Sequence, residues 1–348
     1  MAKPTLGIIG GGQLGSMLAV AANKLGIKTV IFCDDFNAPA KKFSNDFIHG
    51  EYNDQSKINK FLNKVDIITY EFENIPYETL NEINKFKPVL PKPSVNRIVQ
   101  HRLVEKDFIN KLNISTTQYV SIEKKSEIDS VKNLLPGLLK TTTLGYDGKG
   151  QHLINNIEEL DSLDIDYSKG YILEKLVKLK KEISIIITRF SDKKYEVYEP
   201  IQNLHEDQIL KHSKIPAEIN DKIIVKSKLW ATQIAEELGY VGTLCVEFFI
   251  DINENLYVNE IAPRVHNSGH LTINAYNISQ FENHVRAICK IEQIPLKKLS
   301  NAKMLNIIGD QINIYRNKQF AQNEFFFDYL KTEIKSKRKM GHLTTLIS

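Results

Sequence analysis

Tyr257-Val258-Asn259-Glu260-Ile261-Ala262-Pro263-Arg264-Val265-His266-Asn267-Ser268-Gly269-His270 is the stretch from which the architecture is read. Upstream, Val246-Glu247-Phe248-Phe249 sits in an apolar run from Leu244 to Ile250, and Leu256 to Val258 forms a second run. The turn residues Asn253-Glu254-Asn255 between them predict a hairpin. Glu247 on the first strand, with Asn259 and Glu260 just after the second, then project side by side. Two carboxylates and an amide are the hard oxygen donors that magnesium prefers, with waters and anions filling its other positions. Either glutamate alone reads as a surface residue, but both are flanked by apolar neighbours. The loop that follows is dense in polar groups. Arg264 suits developing negative charge, and His266 suits hydrogen bonding or proton movement.

Toward the N-terminus, Leu6 to Ile9 is a short apolar run that ends in Gly10-Gly11-Gly12-Gln13-Leu14-Gly15. Leu14, Met17, Leu18, Ala21, Ala22 and Leu25 follow at helical spacing, with Gly26 as a stop. Thr29 to Phe32 is the next run, followed by Asp34 and Asp35. This is a parallel strand–helix–strand opening. Its glycine motif fits a dinucleotide-binding turn or a tight turn that only packs the helix. Val65 to Thr69 reads as another buried strand, leading into Glu71-Phe72-Glu73-Asn74. The carboxyl ends of such strands are where open α/β sheets bind ligands. The prolines between Lys87 and Pro93 mark a domain edge, and Val95 to Leu112 reads as one long helix.

Short strand-like runs then alternate with glycine-rich loops: Thr117 to Ile122, Leu138 to Thr141, His152 to Ile154 and Tyr171 to Leu173. Gly145-Tyr146-Asp147-Gly148-Lys149-Gly150-Gln151 holds three glycines and a lysine, suited to closing over a polyphosphate through backbone donors. Lys140 lies inside an apolar run, where a cation needs an anionic partner. Further on, Ile183 to Thr188, Tyr195 to Tyr198, a helix over Asp221 to Leu238 and another over Gln280 to Cys289 are expected. Lys335-Ser336-Lys337-Arg338-Lys339-Met340-Gly341-His342 gathers cations that suit a phosphate monoester or a solvated basic tail.

Composition bounds the answer. The 348 residues allow two or three domains. The net charge of +4 is too mild to indicate a nucleic-acid binder. Cys33, Cys245 and Cys289 are scattered, with no zinc spacing, as expected of reduced thiols in a cytoplasmic protein. Met1 to Gly12 lacks the apolar core of a signal peptide, and no run is long enough for a membrane span.

Taken together, GGGQLG (10–15), GYDGKGQ (145–151), NEIAPRVHNSGH (259–270) and RKMGH (338–342) resemble the ATP-grasp superfamily. Within it, the chain is similar to the N5-carboxyaminoimidazole ribonucleotide synthetase family, with the motifs in family order along nearly the whole chain. The resemblance implies an ATP-grasp fold, α/β with an α+β lid. Its parts would be a Rossmann-like domain over 1–100, a small lid with its linking helix over 101–175, and a large antiparallel-sheet nucleotide-binding domain over 176–348. It also implies an ATP-dependent ligase that carboxylates aminoimidazole ribonucleotide with bicarbonate, through carboxyphosphate, in purine biosynthesis. Magnesium, or manganese, would assist. A homodimer without nucleic-acid or membrane partners is implied, ending sooner after its basic motif than some relatives do.

Residue by residue, the resemblance assigns Arg102 and Lys140 to the ATP phosphates, under Gly145, Tyr146, Asp147, Gly148, Lys149, Gly150 and Gln151. Glu174-Lys175-Leu176-Val177 would hold adenine through main-chain groups, with Glu182 on the ribose and His205 as a further nucleotide contact. Glu247 and Glu260 would hold the metal, with Asn259 beside them. Gln13, Leu14, Glu71 or Glu73, Tyr146, Asp147, Arg264, His266, Asn267, Lys337 and Arg338 would line the second pocket. Asp147 or His266 would accept the amine proton, Asp147 being favoured. The alternatives are a formate-dependent glycinamide ribonucleotide transformylase or another carboxylate–amine ligase, an NAD(P)-dependent oxidoreductase built on Gly10 to Gly15, and a nucleotide sensor or nucleic-acid binder using the basic tail.

Overall fold

A computed structural model describes residues 3–143 and 150–347. Its first unit contains β1 (Leu6–Ile9), α1 (Gln13–Lys24), β2 (Thr29–Cys33), β3 (Asp46–His49), α2 (Gln55–Leu62), β4 (Ile67–Tyr70) and α3 (Tyr77–Asn84). The four strands are parallel, in the order β3-β2-β1-β4. β1, β2 and β4 are buried along their whole length, which is why they read as continuous apolar runs rather than alternating ones. α1 buries Leu14, Met17, Leu18, Ala21 and Ala22. It stops before Gly26, whose φ of +67° is open to a residue without a Cβ.

The helix expected over Val95 to Leu112 is instead two, α4 (Pro93–Val99) and α5 (Arg102–Lys111). No proline or glycine breaks it. The Gln100 side chain donates to the carbonyls of Glu73 and Ile75, each at 2.8 Å, and His101 is extended. The Arg102 amide is taken by Thr142 O at 2.9 Å. Tertiary hydrogen bonds override a helical pattern here, and the break sets Arg102 at the head of α5.

The second unit is an antiparallel sheet of β5 (Tyr119–Ile122), β6 (Gly137–Thr141), β7 (Gln151–Ile154) and β8 (Tyr171–Lys175), with α6 (Ile157–Ser162) after β7. The order is β5-β8-β6-β7. Ile122, Leu139, Ile154, Leu160 and Leu173 form its core.

The third unit is a nine-stranded antiparallel sheet among the described residues. It runs through β9 (Leu179–Arg189), β10 (Tyr195–Val197), β11 (Ile201–Glu206), β12 (Ile209–Ile215), α7 (Asp221–Glu237), β13 (Gly242–Asp251) and β14 (Leu256–Ala262). After α8 (Thr272–Ala275) and α9 (Gln280–Ile288) come β15 (Asn301–Ile308), α10 (Ile312–Arg316), β16 (Glu324–Asp328) and β17 (Lys339–Ile347). The order is β14-β13-β9-β11-β12-β15-β17-β16, with β10 beside β9. α7 lies on one face of it, and Trp230 stacks on Phe248 with ring centres 6.5 Å apart. On another side α9 packs against α1, so Phe281, Val285 and Ile288 share a core with Leu14, Met17 and Leu18. His284 fastens the same seam. Its Nδ1 accepts the Thr243 amide at 3.0 Å, and its Nε2 lies 2.8 Å from Thr69 Oγ1 on β4.

One strand end differs from expectation. The run that seemed to stop at Val258 continues to Ala262, because Glu260, Ile261 and Ala262 pair with Glu247, Val246 and Cys245. Asn259 and Glu260 therefore belong to the strand rather than follow it. Their polarity, which argued for an end, reflects the cleft they line.

Candidate active site

A cleft of about 770 Å³ opens where the three sheets meet, within the range of small-molecule sites. The β13–β14 hairpin forms its floor. Glu247 pairs directly with Glu260, but the next pair is Phe248 with Val258. Asn259 is thus the extra residue of a β-bulge, a device that re-aims side chains beside active sites. Asn259 and Glu260 both reach the cleft, with Glu247 opposite. Burial, followed by the charge of Glu260, pushes the Glu247 carboxyl up to about 7. Two crowded carboxylates with an amide alongside fit a hard divalent cation. Cys245, Glu247 and His266 also present donor atoms within 4.8 Å of one another, but that mixed sulfur, nitrogen and oxygen set suits magnesium less well than the oxygens.

After β14, Arg264 makes a two-pronged pair with Glu73, through Nε to Oε2 and through NH2 to Oε1 at 2.9 Å. Burial would raise the Glu73 carboxyl, yet Arg264 holds it below the usual range. His266 Nδ1 lies 2.8 Å from Ser268 Oγ and accepts the Ser268 amide at 3.3 Å, so Nε2 carries the proton and faces Glu247 Oε1 at 3.3 Å. Burial first, then Arg264, keeps this imidazole uncharged. Gln280 clamps the loop, accepting the His266 amide at 2.9 Å and donating to its carbonyl at 2.6 Å. Asn267 exchanges amide hydrogen bonds with Asn306, at 3.1 and 2.5 Å.

Glu71 has a different place from Glu73, although both line the cleft. Its carboxylate accepts the amides of Gly12 at 2.8 Å and Gly15 at 3.3 Å. Those are the donors at the head of α1 that would otherwise cradle an anion. A Cβ on Gly10, whose φ is +101°, would sit 2.7 Å from Glu71 Cγ. The glycine turn is therefore occupied by the protein's own carboxylate. Gln13 and Leu14, beside it, line the cleft.

On the opposite wall, Lys140 of β6 and Arg102 of α5 face the hairpin, with Arg102 NH1 3.5 Å from Glu260 Oε2. Lys140 Nζ lies 3.2 Å from the buried Glu174, which Lys106 also approaches at 3.3 Å. Burial opposes the charge on Glu174, but the two lysines bring its pKa down to about 2. In Glu174-Lys175-Leu176-Val177, the amide of Lys175 is taken by Gln118 O and that of Leu176 by Pro136 O. The Val177 amide has no partner among the described residues. Glu182 and His205 contact each other at the rim, and Gln151, Lys337 and Arg338 also line the cleft.

Residues 107–281 match the ATP-grasp domain, residues 3–100 the ribonucleotide synthetase preATP-grasp domain, and residues 302–348 the phosphoribosylaminoimidazole carboxylase C-terminal domain. The N5-carboxyaminoimidazole ribonucleotide synthase of Staphylococcus aureus (strain COL) is 36% identical over 348 residues, covering 98% of this chain and 92% of its own. The chain belongs to the N5-carboxyaminoimidazole ribonucleotide synthase family. Among solved members, the Staphylococcus aureus protein complexed with ADP has a TM-score of 0.93 at 35% identity, covering 99% of this chain and 93% of its own. The Aspergillus clavatus protein, in complex with ADP and 5-aminoimidazole ribonucleotide, has a TM-score of 0.90 at 27% identity, covering 99% and 94%. The expected ATP-grasp fold, a parallel N-terminal sheet joined to a large antiparallel one, is the fold observed.

For this synthase family member, the structure gathers the residues expected at 13, 14, 71, 73, 102, 140, 151, 182, 205, 247, 259, 260, 264, 266, 267, 337 and 338 on one cleft. Gly150, Glu174, Lys175, Leu176 and Val177 are not in its lining, and the Glu174 side chain is turned into the ion cluster behind Lys140. Gly145, Tyr146, Asp147, Gly148 and Lys149 lie outside the described residues. The sequence reading missed Glu105, Lys331 and Lys339, all in the lining. Glu105 accepts the Ile261 amide at 2.6 Å, and burial with the Glu260 charge pushes it up to about 8. On an amphipathic helix it reads as surface. Lys339 stood in the basic cluster, a signal that was present but not narrowed to that position.

Proposed function

We propose that this chain carboxylates 5-aminoimidazole ribonucleotide to N5-carboxyaminoimidazole ribonucleotide with ATP and bicarbonate, releasing ADP and phosphate, in purine biosynthesis. The observation that carries the reading is the bulged hairpin, which aims Glu247, Asn259 and Glu260 at the cleft shared with Arg102, Lys140, Arg264 and His266. Magnesium or manganese, held by Glu247 and Glu260 with Asn259 alongside, would neutralise phosphate charge. Lys140, Arg102 and residues 145–151 receive the polyphosphate, the free Val177 amide meets adenine, and Glu182 with His205 meets the ribose side.

A bicarbonate oxygen attacks the γ-phosphorus, the bond to ADP breaks, and carboxyphosphate forms. Arg264, oriented by Glu73, stabilises the oxygens carrying charge. The exocyclic amine then attacks the carboxyl carbon, or carbon dioxide released from it. Phosphate departs and a protein group takes the amine proton. Asp147 is the proposed acceptor. His266, uncharged and already receiving the Ser268 amide at Nδ1, is left to orient substrate through Nε2–H. Gln13, Leu14, Tyr146, Asn267, Lys337 and Arg338 hold the ribonucleotide, the two cations meeting its phosphate.

In this reading residues 1–100, 101–175 and 176–348 act as N-terminal, lid and nucleotide-binding domains of a cytoplasmic homodimer. No helix among the described residues is long and apolar enough to cross a membrane. A coupled assay for ADP, omitting ATP, magnesium, bicarbonate and aminoimidazole ribonucleotide in turn, tests the reaction. ADP release requiring both bicarbonate and the ribonucleotide, with label from bicarbonate in an acid-labile product, supports it; release with another amine preferred replaces the substrate.

A further inference from the structure

Behind the cleft wall lies a charge cluster of which the proposed reaction uses only Lys140 directly. Lys140 lines the cleft, whereas Lys106 of α5 is 2% exposed and lies behind it. Both ammonium groups converge on one oxygen of Glu174: Oε2 is 3.2 Å from Lys140 Nζ and 3.3 Å from Lys106 Nζ. Thr117 links Lys106 to the carboxylate, accepting from Lys106 at 3.1 Å and donating to the same Oε2 at 3.0 Å. Glu174 Oε1 has no hydrogen-bond partner among the described residues. Burying a second lysine is costly unless it is paired and hydrogen-bonded, and here two ammonium groups draw on a single carboxylate oxygen.

We propose that Lys106 is a positioning residue which, by sharing Glu174, leaves Lys140 with the positive charge that meets the nucleotide's polyphosphate. The inference rests on the assignment of Lys140 to the phosphates. A pair of Glu174 with Lys140 alone is neutral, and it strands a buried carboxylate whenever Lys140 turns to a phosphate. With Lys106 present the trio carries one net positive charge, and the carboxylate keeps a partner throughout.

Titration calorimetry of magnesium–ADP and of adenosine, which lacks phosphate, reads the effect as the ratio of the two affinities. Lys106→Met lowers the ratio about ten-fold, the scale of one hydrogen bond between charged groups. Glu174→Gln leaves the ratio unchanged or raises it. The double variant Lys106→Met/Glu174→Gln, whose net charge equals the wild type's, returns the ratio to within about three-fold of wild type. A purely structural role makes both single variants weaken both ligands and leaves the double variant no better. An unchanged ratio in Lys106→Met, a parallel loss of both ligands, or a double variant as weak as Lys106→Met overturns the proposal. If circular dichroism shows Lys106→Met unfolded, the double variant decides: a ratio near wild type supports the proposal and a ten-fold fall ends it. Wild-type protein that does not bind ADP removes the phosphate assignment itself, an outcome distinct from any pattern among the variants.

Discussion

Glu71 makes a nucleotide-type turn into something else through a carboxylate that accepts two hydrogen bonds. Its carboxylate occupies the amides of Gly12 and Gly15, which in other proteins would face an incoming phosphate. Glu71→Ala therefore strands two buried or part-buried donors, and a loss of about 1–3 kcal/mol is expected from denaturant titration. The vacated turn should then gain affinity for sulfate, seen as a sulfate-dependent rise in melting temperature that the parent lacks. Glu260 carries a second residue-scale expectation. Glu260→Ala should lower turnover at least about 100-fold, the scale of a lost electrostatic partner, while the fold, followed by circular dichroism, is retained; near-normal turnover would remove it from the metal set. The two glutamates of the hairpin were legible in the sequence because carboxylates inside apolar runs are costly. The roles of Glu71 and Glu73 were not, since two residues apart they look equivalent. Only the tertiary partners, amides for one and Arg264 for the other, separate them.

At the scale of elements, one inserted residue does much of the positioning. The bulge at Asn259 was invisible beforehand, because strand pairing is not written in either strand alone. The break between α4 and α5 was hidden for the same reason, its causes being acceptors in the Glu73–Ile75 segment and at Thr142. The loop after β14 is held in the same manner by Gln280 at the head of α9, and a Cβ on Gly269 would stand 2.7 Å from that side chain. Gln280→Leu leaves the His266 amide unpaired, and its carbonyl with the Gly269 amide at 3.1 Å in place of two donors. It should cost about 1–3 kcal/mol in chemical denaturation and depress turnover, while ADP affinity, which the proposed function assigns to the opposite wall, stays at the parent value. Equal loss of both would mean that the loop and the nucleotide wall respond as one.

Across the whole molecule, buried histidines make the assembly sensitive to acid. Burial lowers His284 to about 4 and His342 to about 3. In the unfolded chain both titrate near the ordinary 6.5. Between pH 6.5 and 4, unfolding therefore takes up protons that the native state refuses, and stability falls as pH falls through that window. Above 6.5 these groups contribute no slope. Denaturant midpoints measured from pH 7.5 to 4.5 should show this bend. Replacing His284 by glutamine should remove about 1.4 kcal/mol per pH unit from the slope near pH 5. His284 joins Thr243 of the large sheet to Thr69 of the N-terminal sheet, so the seam between the units should open first. The parallel opening and the β13–β14 hairpin were readable from runs and turns, whereas the large antiparallel sheet was implied only by the motif resemblance. The β11–β12 hairpin was not readable, because its turn at Asp207-Gln208 has positive φ at both positions without a glycine to mark it; nor was the seam, because partners 215 residues apart leave no local trace.

Trp230, the single tryptophan of the chain, stacks on Phe248, whose neighbour along β13 is Glu247. The molecule thus contains one tryptophan emitter, 8% exposed, with the Lys226 ammonium 4.5 Å above its ring. Excited at wavelengths that tyrosine does not absorb, this emitter reports on α7 packed against the large sheet. A red shift during denaturation dates the loss of that sheet without contribution from the other two units, and a small intensity change on adding nucleotide reads strain in the strand that carries the first carboxylate.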